Sequence, residues 1–472
     1  MLSKAWSALR SIPWWAWAIA LVALVPRLLL VPYGLPYEFD PDERLFVDAA
    51  WHMVEGGGGD PGWYNVPAAT LMDILAALYW LYGLGGTLIG EFGSVAEAGE
   101  AYRADVSHFF AIARVVTAIS GAGAVLVTYA LLRELRVHVF WSAVAALLLA
   151  VSFAMIQFSA LVRPDMLLTM FLLAAVITSM RTLKEPSARL FAIAGVFLGL
   201  AAASKYPGAL AIVPIVAANA TLVVQERITP RRGLLWLGGA VLAGAAVVAI
   251  VAPYLYVNFG ETIRAVGAEA RSTHLGATGA GMLSDLWRYL TEALPWGLGR
   301  NATIVGVIGL LAMLPFLRPR IVSITFWGFL AFISFLSLWW LRWALPLLPL
   351  AAIGAAFVLE QADIRLRARR PGRWLWVPRI VVAAVLIWPL VGPTIDSVGA
   401  QATNDDTRMR AVEWVHEHVP DGATLLIESY TTHLSSDRYD IVVAERGELV
   451  RWSDVSDKLR PDGYFATVAG EW

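Results

Sequence analysis

The stretch YEFDPDERLFVDAA, residues 37–50, places five carboxylates in fourteen residues directly after a long apolar run that begins near Ile12. Two readings compete for it. In the first, Asp40 is an N-cap, Pro41 takes N1 and Glu43 at N3 completes a capping-box arrangement, while Leu45, Phe46, Ala49 and Ala50 form the apolar face of the following helix. That reading leaves Asp42 unexplained. At N2 the helix dipole favours its ionised form, and an ionised carboxylate can take a proton from a hydroxyl nucleophile. Groups of complementary chemistry lie farther along: Arg163 and Asp165 in LVRPDMLL, Lys205 and Tyr206 in ASKYPG, and Arg342 in WWLRWALP. Each cation taken singly is read as snorkelling toward lipid headgroups. Three of them beside an acidic loop suggest a site for an anion plus a base, and a phosphate tethered to a lipid is the anion expected at that depth.

The elements that position these groups follow from composition. Of 472 residues, 58% are hydrophobic and 15% charged, and mean hydropathy is +0.63, which marks an integral membrane protein among lipids. A net charge of -1 gives no pull toward nucleic acid, and none is expected as a partner. The absence of Cys removes disulfides, thiolate metal sites and thiol nucleophiles.

Lys4 and Arg10 precede an apolar run, Ile12 to Val31, long enough to span a bilayer and too long for a cleaved signal, so it is read as a retained helix with its N-terminus cytoplasmic. Further apolar segments run near 108–132, 140–160, 166–180, 190–204, 207–225, 234–256, 302–317, 321–338, 343–359 and 379–394. The reading is a polytopic all-α transmembrane bundle of about eleven spans. With that count the loops carrying Arg133 and Arg136, Arg181 and Lys184, Arg227 to Arg232, Arg318 and Arg320, and Arg365 to Arg373 all fall on the cytoplasmic side. The parity closes only if residues 69–90 do not cross, so that stretch is read as juxtamembrane or re-entrant. Residues 1–395 then form the membrane domain, with a first outer loop at 34–107 and a second at 257–301. Residues 396–472 form a small extracytoplasmic α/β tail, with a helix at DDTRMRAVEWVHEHV and strands at ATLLIES, YDIVVAE and YFATVAG. The candidate site and the C-terminus are thus extracytoplasmic, and the Ala-, Arg- and Gly-heavy composition points to a bacterial plasma membrane.

Other charged residues are weaker candidates. Arg27 and Arg114, inside spans, are read as structural and snorkelling. Glu261, Glu269, Arg271, His274 and Asp285 in the second outer loop are candidates for substrate contact. Trp339, Trp340 and Trp343 are read as an interface belt.

With DPDERLFVDAA after the first span, ARVVTAISGAGAVLVTYALLREL at 113–135, LVRPDMLLTMFLLA at 161–174, GLAAASKYPGALAIVPI at 199–215 and LRWALPLLPLAA at 341–352, the chain resembles the membrane-embedded GT-C glycosyltransferases. The likeness is to the protein O-mannosyltransferases and aminoarabinose transferases, which use polyprenyl-phosphate sugars as donors. It covers most of residues 20–355. The family's Asp-Glu pair falls on Asp42 and Glu43, and its first acid is taken as the catalytic base. The family's basic groups fall on Arg163, beside Asp165, and on Lys205, which the resemblance assigns to the donor phosphate; Arg342 matches a common Arg before a Leu-Pro pair. The chain departs from the aminoarabinose branch at YNVPAAT, where Asn65 replaces a basic residue, and it has no β-trefoil insertion of the eukaryotic mannosyltransferase kind.

The resemblance implies an inverting displacement at the anomeric carbon on the outer face. Asp42 takes the acceptor hydroxyl's proton, Glu43 orients the acceptor or Asp42, and Arg163 and Lys205 stabilise the departing polyprenyl phosphate. The acceptor is a hydroxyl of a glycan, protein or lipid. Some GT-C enzymes hold a divalent metal, and a carboxylate with Asp165 is the place for one here. No compact set of oxygen ligands is visible, so no metal ligand is assigned. The alternative is a transporter or flippase of lipid-linked sugars, whose charges would sit at the midplane rather than at one face.

Overall fold

The computed structural model describes residues 14–36, 40–56, 58–64, 68–269, 281–336, 338–369, 376–403, 407–428, 434, 438–445 and 448–451. Every apolar segment expected to span is helical. In chain order the main helices are α1 (Trp14–Leu29), α2 (Pro41–Glu55), α3 (Ala69–Ile89), α4 (Ser107–Glu134), α5 (Val139–Ala150), α6 (Phe153–Ala160), α7 (Asp165–Thr182), α8 (Ala188–Ser204), α9 (Ile212–Val224) and α10 (Pro230–Val251). They continue with α11 (Phe259–Glu269), α12 (Arg300–Met313), α13 (Pro319–Phe335), α14 (Leu347–Arg369), α15 (Trp376–Ala402) and α16 (Thr407–His418).

Seven described helices are long and apolar enough to cross a bilayer, or nine if each of two bent pairs counts once, and three shorter apolar helices add to these. Helix α3, with exposed Trp80, Leu81, Leu88 and Ile89, is among the seven. Length and composition therefore neither fix the count at eleven nor keep residues 69–90 out of the membrane. One bent pair, α5 and α6, breaks by 55° within the expected span 140–160. The other turns by 119° between Met282–Leu298 and α12, so the segment expected as the second outer loop carries a helix of its own.

Packing within the bundle rests on small residues, as expected where lipid supplies no drive for helix association. Gly195 and Gly199 on α8 lie against the backbone of Ala240 and Gly244 on α10, so close that a Cβ at Gly195 would fall 2.1 Å from the Ala240 carbonyl oxygen. Beside this core, the segment between α1 and α4 folds around an aromatic cluster. Trp51 of α2 stacks on Tyr102 at 5.3 Å, and Phe109 meets both rings edge-on. That cluster fixes α2 against the start of α4.

The two ends of the bundle differ in chemistry. Arg114 and Glu134 belong to one helix, separated by roughly 30 Å at 1.5 Å per residue. Asp165 opens α7 and Arg181 closes it. At the far end Glu134 bonds Arg181 and Arg318, and the His138 N–H donates to Glu360. At the near end the acidic motif meets Arg114, Arg163 and Arg342, and Lys205 pairs with Asp165.

The tail is a small α/β unit. Helix α16 precedes strands β1 (Thr424–Glu428), β2 (Asp440–Glu445) and β3 (Glu448–Arg451). β1 pairs parallel with β2, and β2 antiparallel with β3. Val412, Leu434, Tyr439 and Ile441 supply its core. A third described strand lies at 448–451, and YFATVAG lies outside the described residues. Arg408 donates to the Tyr33 hydroxyl at 2.7 Å, which ties α16 to the end of the first span.

Candidate active site

The acidic motif begins as its capping residues dictate. Asp40, in an extended conformation, accepts the Asp42 N–H at 3.0 Å through Oδ1, and Pro41 opens the helix. Glu43, however, makes no capping box. Its fully enclosed carboxylate takes both tines of the Arg114 fork, Nε at 2.9 Å and Nη2 at 2.7 Å, and also accepts the Val162 N–H at 2.7 Å. Arg114 spends Nη1 on the carbonyls of Val31 and Tyr33. It therefore does not snorkel. It is a buried strut joining α1, α2, α4 and the 161–164 turn, and the sequence reading missed it. The available signal was a lone Arg inside an apolar helix, which needs a carboxylate when it stays enclosed.

Arg27 is likewise fully enclosed rather than snorkelling, with bonds to Ser159 Oγ and the Ala23 carbonyl. Ser159 lies near the end of α6, four residues before Arg163, so α1 and α6 are fixed to each other close to the site.

The Val162 N–H bond to Glu43 brings the next residue, Arg163, onto the acidic turn. One Nη donates to Asp42 Oδ2 at 2.8 Å, and the other reaches both oxygens of Asp40 at 2.8 and 2.9 Å. Arg342, from the turn Leu341–Ala344, donates to the same Asp42 Oδ2 at 3.1 Å and lies 5.0 Å from the Trp340 ring centre. Trp340 thus stands by Arg342, while Trp339 packs on Tyr289 and Arg288.

Lys205 caps α8 in an extended conformation and bonds Asp165 Oδ1 at 2.8 Å. Its turn is held from three sides. The Gly208 N–H returns to the Lys205 carbonyl at 2.7 Å, Ser204 Oγ meets Thr70 Oγ1 of α3 at 2.6 Å, and Tyr206 donates to the Tyr64 carbonyl at 2.9 Å. Gly208 is required there, since a Cβ would fall 1.9 Å from the Ala201 carbonyl oxygen.

The cluster thus contains three cations and three aspartates, with Asp42 the most open at 36% side-chain exposure and Asp165 enclosed at 5%. Burial alone would raise the Asp42 carboxyl, but the guanidiniums of Arg163 and Arg342 outweigh it and hold the group below the usual carboxylate range. Three enclosed atoms, Arg163 Nε, Arg342 Nε and Asp165 Oδ2, have no hydrogen-bond partner among the described residues. Among the described residues no three His, Asp or Glu side chains converge as a metal site.

Of the sequence candidates, Asp40, Asp42, Arg163, Asp165, Lys205 and Arg342 come together, Glu43 stands behind them and Tyr206 braces the Lys205 turn. Glu261 pairs at the surface with Arg264 at 3.9 Å, and Asp285 is enclosed near Arg288 at 4.0 Å; neither bonds to this cluster. Glu269 ends α11. Its side chain, Arg271, His274 and Asn65 lie outside the described residues.

Residues 76–264 match the family model for dolichyl-phosphate-mannose-protein mannosyltransferase, a span that holds Arg114, Arg163, Asp165 and Lys205 but neither Asp42 nor Arg342. No curated protein sequence matches the chain. Among solved structures, the chain is similar to ArnT from Cupriavidus metallidurans in the apo state, with 15% identity, TM-score 0.56, and coverage of 95% of this chain and 87% of that one. It is also similar to the same protein bound to undecaprenyl phosphate, with 14% identity, TM-score 0.52, and coverage of 96% and 88%.

Proposed function

We propose, from the premise that this chain is a membrane glycosyltransferase of the GT-C class, that it transfers a sugar from a polyprenyl-phosphate donor to a hydroxyl acceptor at the outer face of the membrane, with inversion. The observation that carries the proposal is the convergence of Asp42 with Arg163, Arg342 and the Lys205–Asp165 pair in one partly open cluster at one end of the bundle. The undecaprenyl phosphate bound to the similar ArnT supports a donor of this class.

In this reading Asp42 accepts the acceptor hydroxyl's proton as its oxygen attacks the anomeric carbon. The bond from that carbon to the phosphate oxygen breaks, and its electron pair leaves with the polyprenyl phosphate. Phosphate is a good leaving group, so no strong acid is needed; Arg163, Arg342 and Lys205 stabilise the added charge. Glu43, enclosed by Arg114, does not reach the acceptor but holds the turn that presents Asp42. The gathering of basic loops at the opposite end supports a cytoplasmic placement for that end and an extracytoplasmic one for the site.

The test is transfer by purified protein from labelled polyprenyl-phosphate sugars to envelope glycan, peptide or lipid acceptors, with the anomeric configuration of the product read by NMR. Transfer with inversion is expected. Transfer only from nucleotide sugars, or retention, would overturn the proposal.

A further inference from the structure

Each cation assigned to the donor phosphate is already engaged by a carboxylate: Arg163 by Asp40 and Asp42, Arg342 by Asp42, and Lys205 by Asp165. A phosphate that takes the Nη atoms of Arg163 and Arg342 therefore has to compete with Asp42 for them. We propose that the donor phosphate displaces Asp42 from Arg163 and Arg342, and that this exchange releases Asp42 to act as the base, so that the donor binds before the acceptor. The inference rests on the proposed roles of Asp42 and the three cations.

The geometry singles out Asp42 as the group that yields. Asp165 is 5% exposed and holds Lys205. Asp40 is committed twice, to the Asp42 N–H as the helix cap and to Arg163 through both oxygens. Asp42 is the most open of the three, and both of its side-chain bonds use Oδ2. Phosphate oxygens accept from a guanidinium fork in the same geometry as a carboxylate does. The seat also has further donors, since Arg163 Nε and Arg342 Nε are enclosed without partners among the described residues.

The exchange couples chemistry to occupancy. While Asp42 Oδ2 is shared by two guanidiniums, that oxygen's lone pairs are committed and the carboxylate's basicity is low. Once phosphate neutralises those cations, the carboxylate returns toward ordinary basicity. An acceptor arriving first meets a weakened base.

The test is equilibrium binding of undecaprenyl phosphate to the purified full-length chain. Asp42→Asn is expected to bind roughly tenfold tighter than wild type, because a neutral amide competes weakly for two guanidiniums; a tenfold change corresponds to about 1.4 kcal/mol. Asp42→Ala should move in the same direction, which guards against an effect peculiar to the amide. Undecaprenol, lacking the phosphate, should bind all variants alike. Asp48→Asn, which removes a carboxylate from the same helix outside the cluster, should leave affinity unchanged. Unaltered or weaker binding by both Asp42 variants, or equal tightening in Asp48→Asn, overturns the exchange. Weaker binding by Lys205→Gln supports the donor seat independently, so the exchange can fail while that reading stands. If Lys205→Gln, Asp42→Asn and wild type all bind alike, the donor seat fails and the exchange with it.

Discussion

Glu43 and Arg114 are joined by two parallel hydrogen bonds, at 2.9 and 2.7 Å, in a place where their side chains are 0% and 2% exposed. A buried bidentate pair is costly to break, because removing one partner strands the other's charge. The pair also carries the Val162 N–H and two carbonyls of the chain leaving α1, so it sets where Asp42 and Arg163 begin. Glu43→Gln is expected to lower stability by about 3–5 kcal/mol, read as a fall in the thermal midpoint in detergent. Glu43→Leu with Arg114→Met together should recover part of that loss, not all of it, since the Val162 N–H and the Val31 and Tyr33 carbonyls stay unpaired. A single variant as stable as wild type would remove the strut from the account.

Gly208 offers a test of the Lys205 turn that touches no charged group. Adding one methyl drives it into the Ala201 carbonyl. Gly208→Ala is expected to cost about 1–3 kcal/mol and to weaken undecaprenyl phosphate binding together with stability. Normal donor affinity in a folded Gly208→Ala protein would show that the position of Lys205 does not matter for the donor.

Arg163→Lys keeps the charge and loses the fork. A single ammonium cannot bridge Asp40 and Asp42 as the guanidinium does. Donor binding is expected to fall by about tenfold or more, the order of one lost charge-assisted bond. An affinity equal to wild type would mean that only net charge is needed at this position.

The pH dependence follows from the sign of the Asp42 shift. Burial would raise this carboxyl, but Arg163 and Arg342 outweigh burial, so the folded value lies below the unfolded one of about 4. The stability contributed by its ion pairs is therefore present above the unfolded value and is lost as pH falls through the lower folded value. The base must be ionised, so the acid limb of kcat/KM for the donor, which reports the donor-free protein, lies below the ordinary carboxylate range. Arg342→Gln removes one of the two cations and should move that limb upward. A limb that stays in place would exclude Asp42 as the group that titrates.

The site was legible in the sequence where charge met position. Asp42, Arg163, Lys205 and Arg342 could be grouped because each falls at a predicted outer end of an apolar segment, where a charge has to be accounted for. What pairs with what was not legible. Capping rules explain Asp40 and Pro41, but they turned Glu43 back onto its own helix, whereas tertiary contact sends it across to Arg114. For Arg114 and Arg27 the sequence supports a structural role but leaves snorkelling open, because it shows depth and not the neighbouring helix that encloses a side chain. The helices themselves were readable from apolar length. The two sharp bends, at 55° and 119°, follow from packing that hydropathy does not register. In the tail, strand β3 is short and polar at both ends, which hides it from an alternation count.

Single-turnover transfer with saturating polyprenyl-phosphate sugar, comparing wild type with Asp42→Asn, tests the central claim most directly. Loss of a general base is expected to slow the chemical step by roughly 10²–10⁴-fold while the variant stays folded and holds the donor at least as tightly as wild type. Equal single-turnover rates would contradict the assignment of Asp42 as the base.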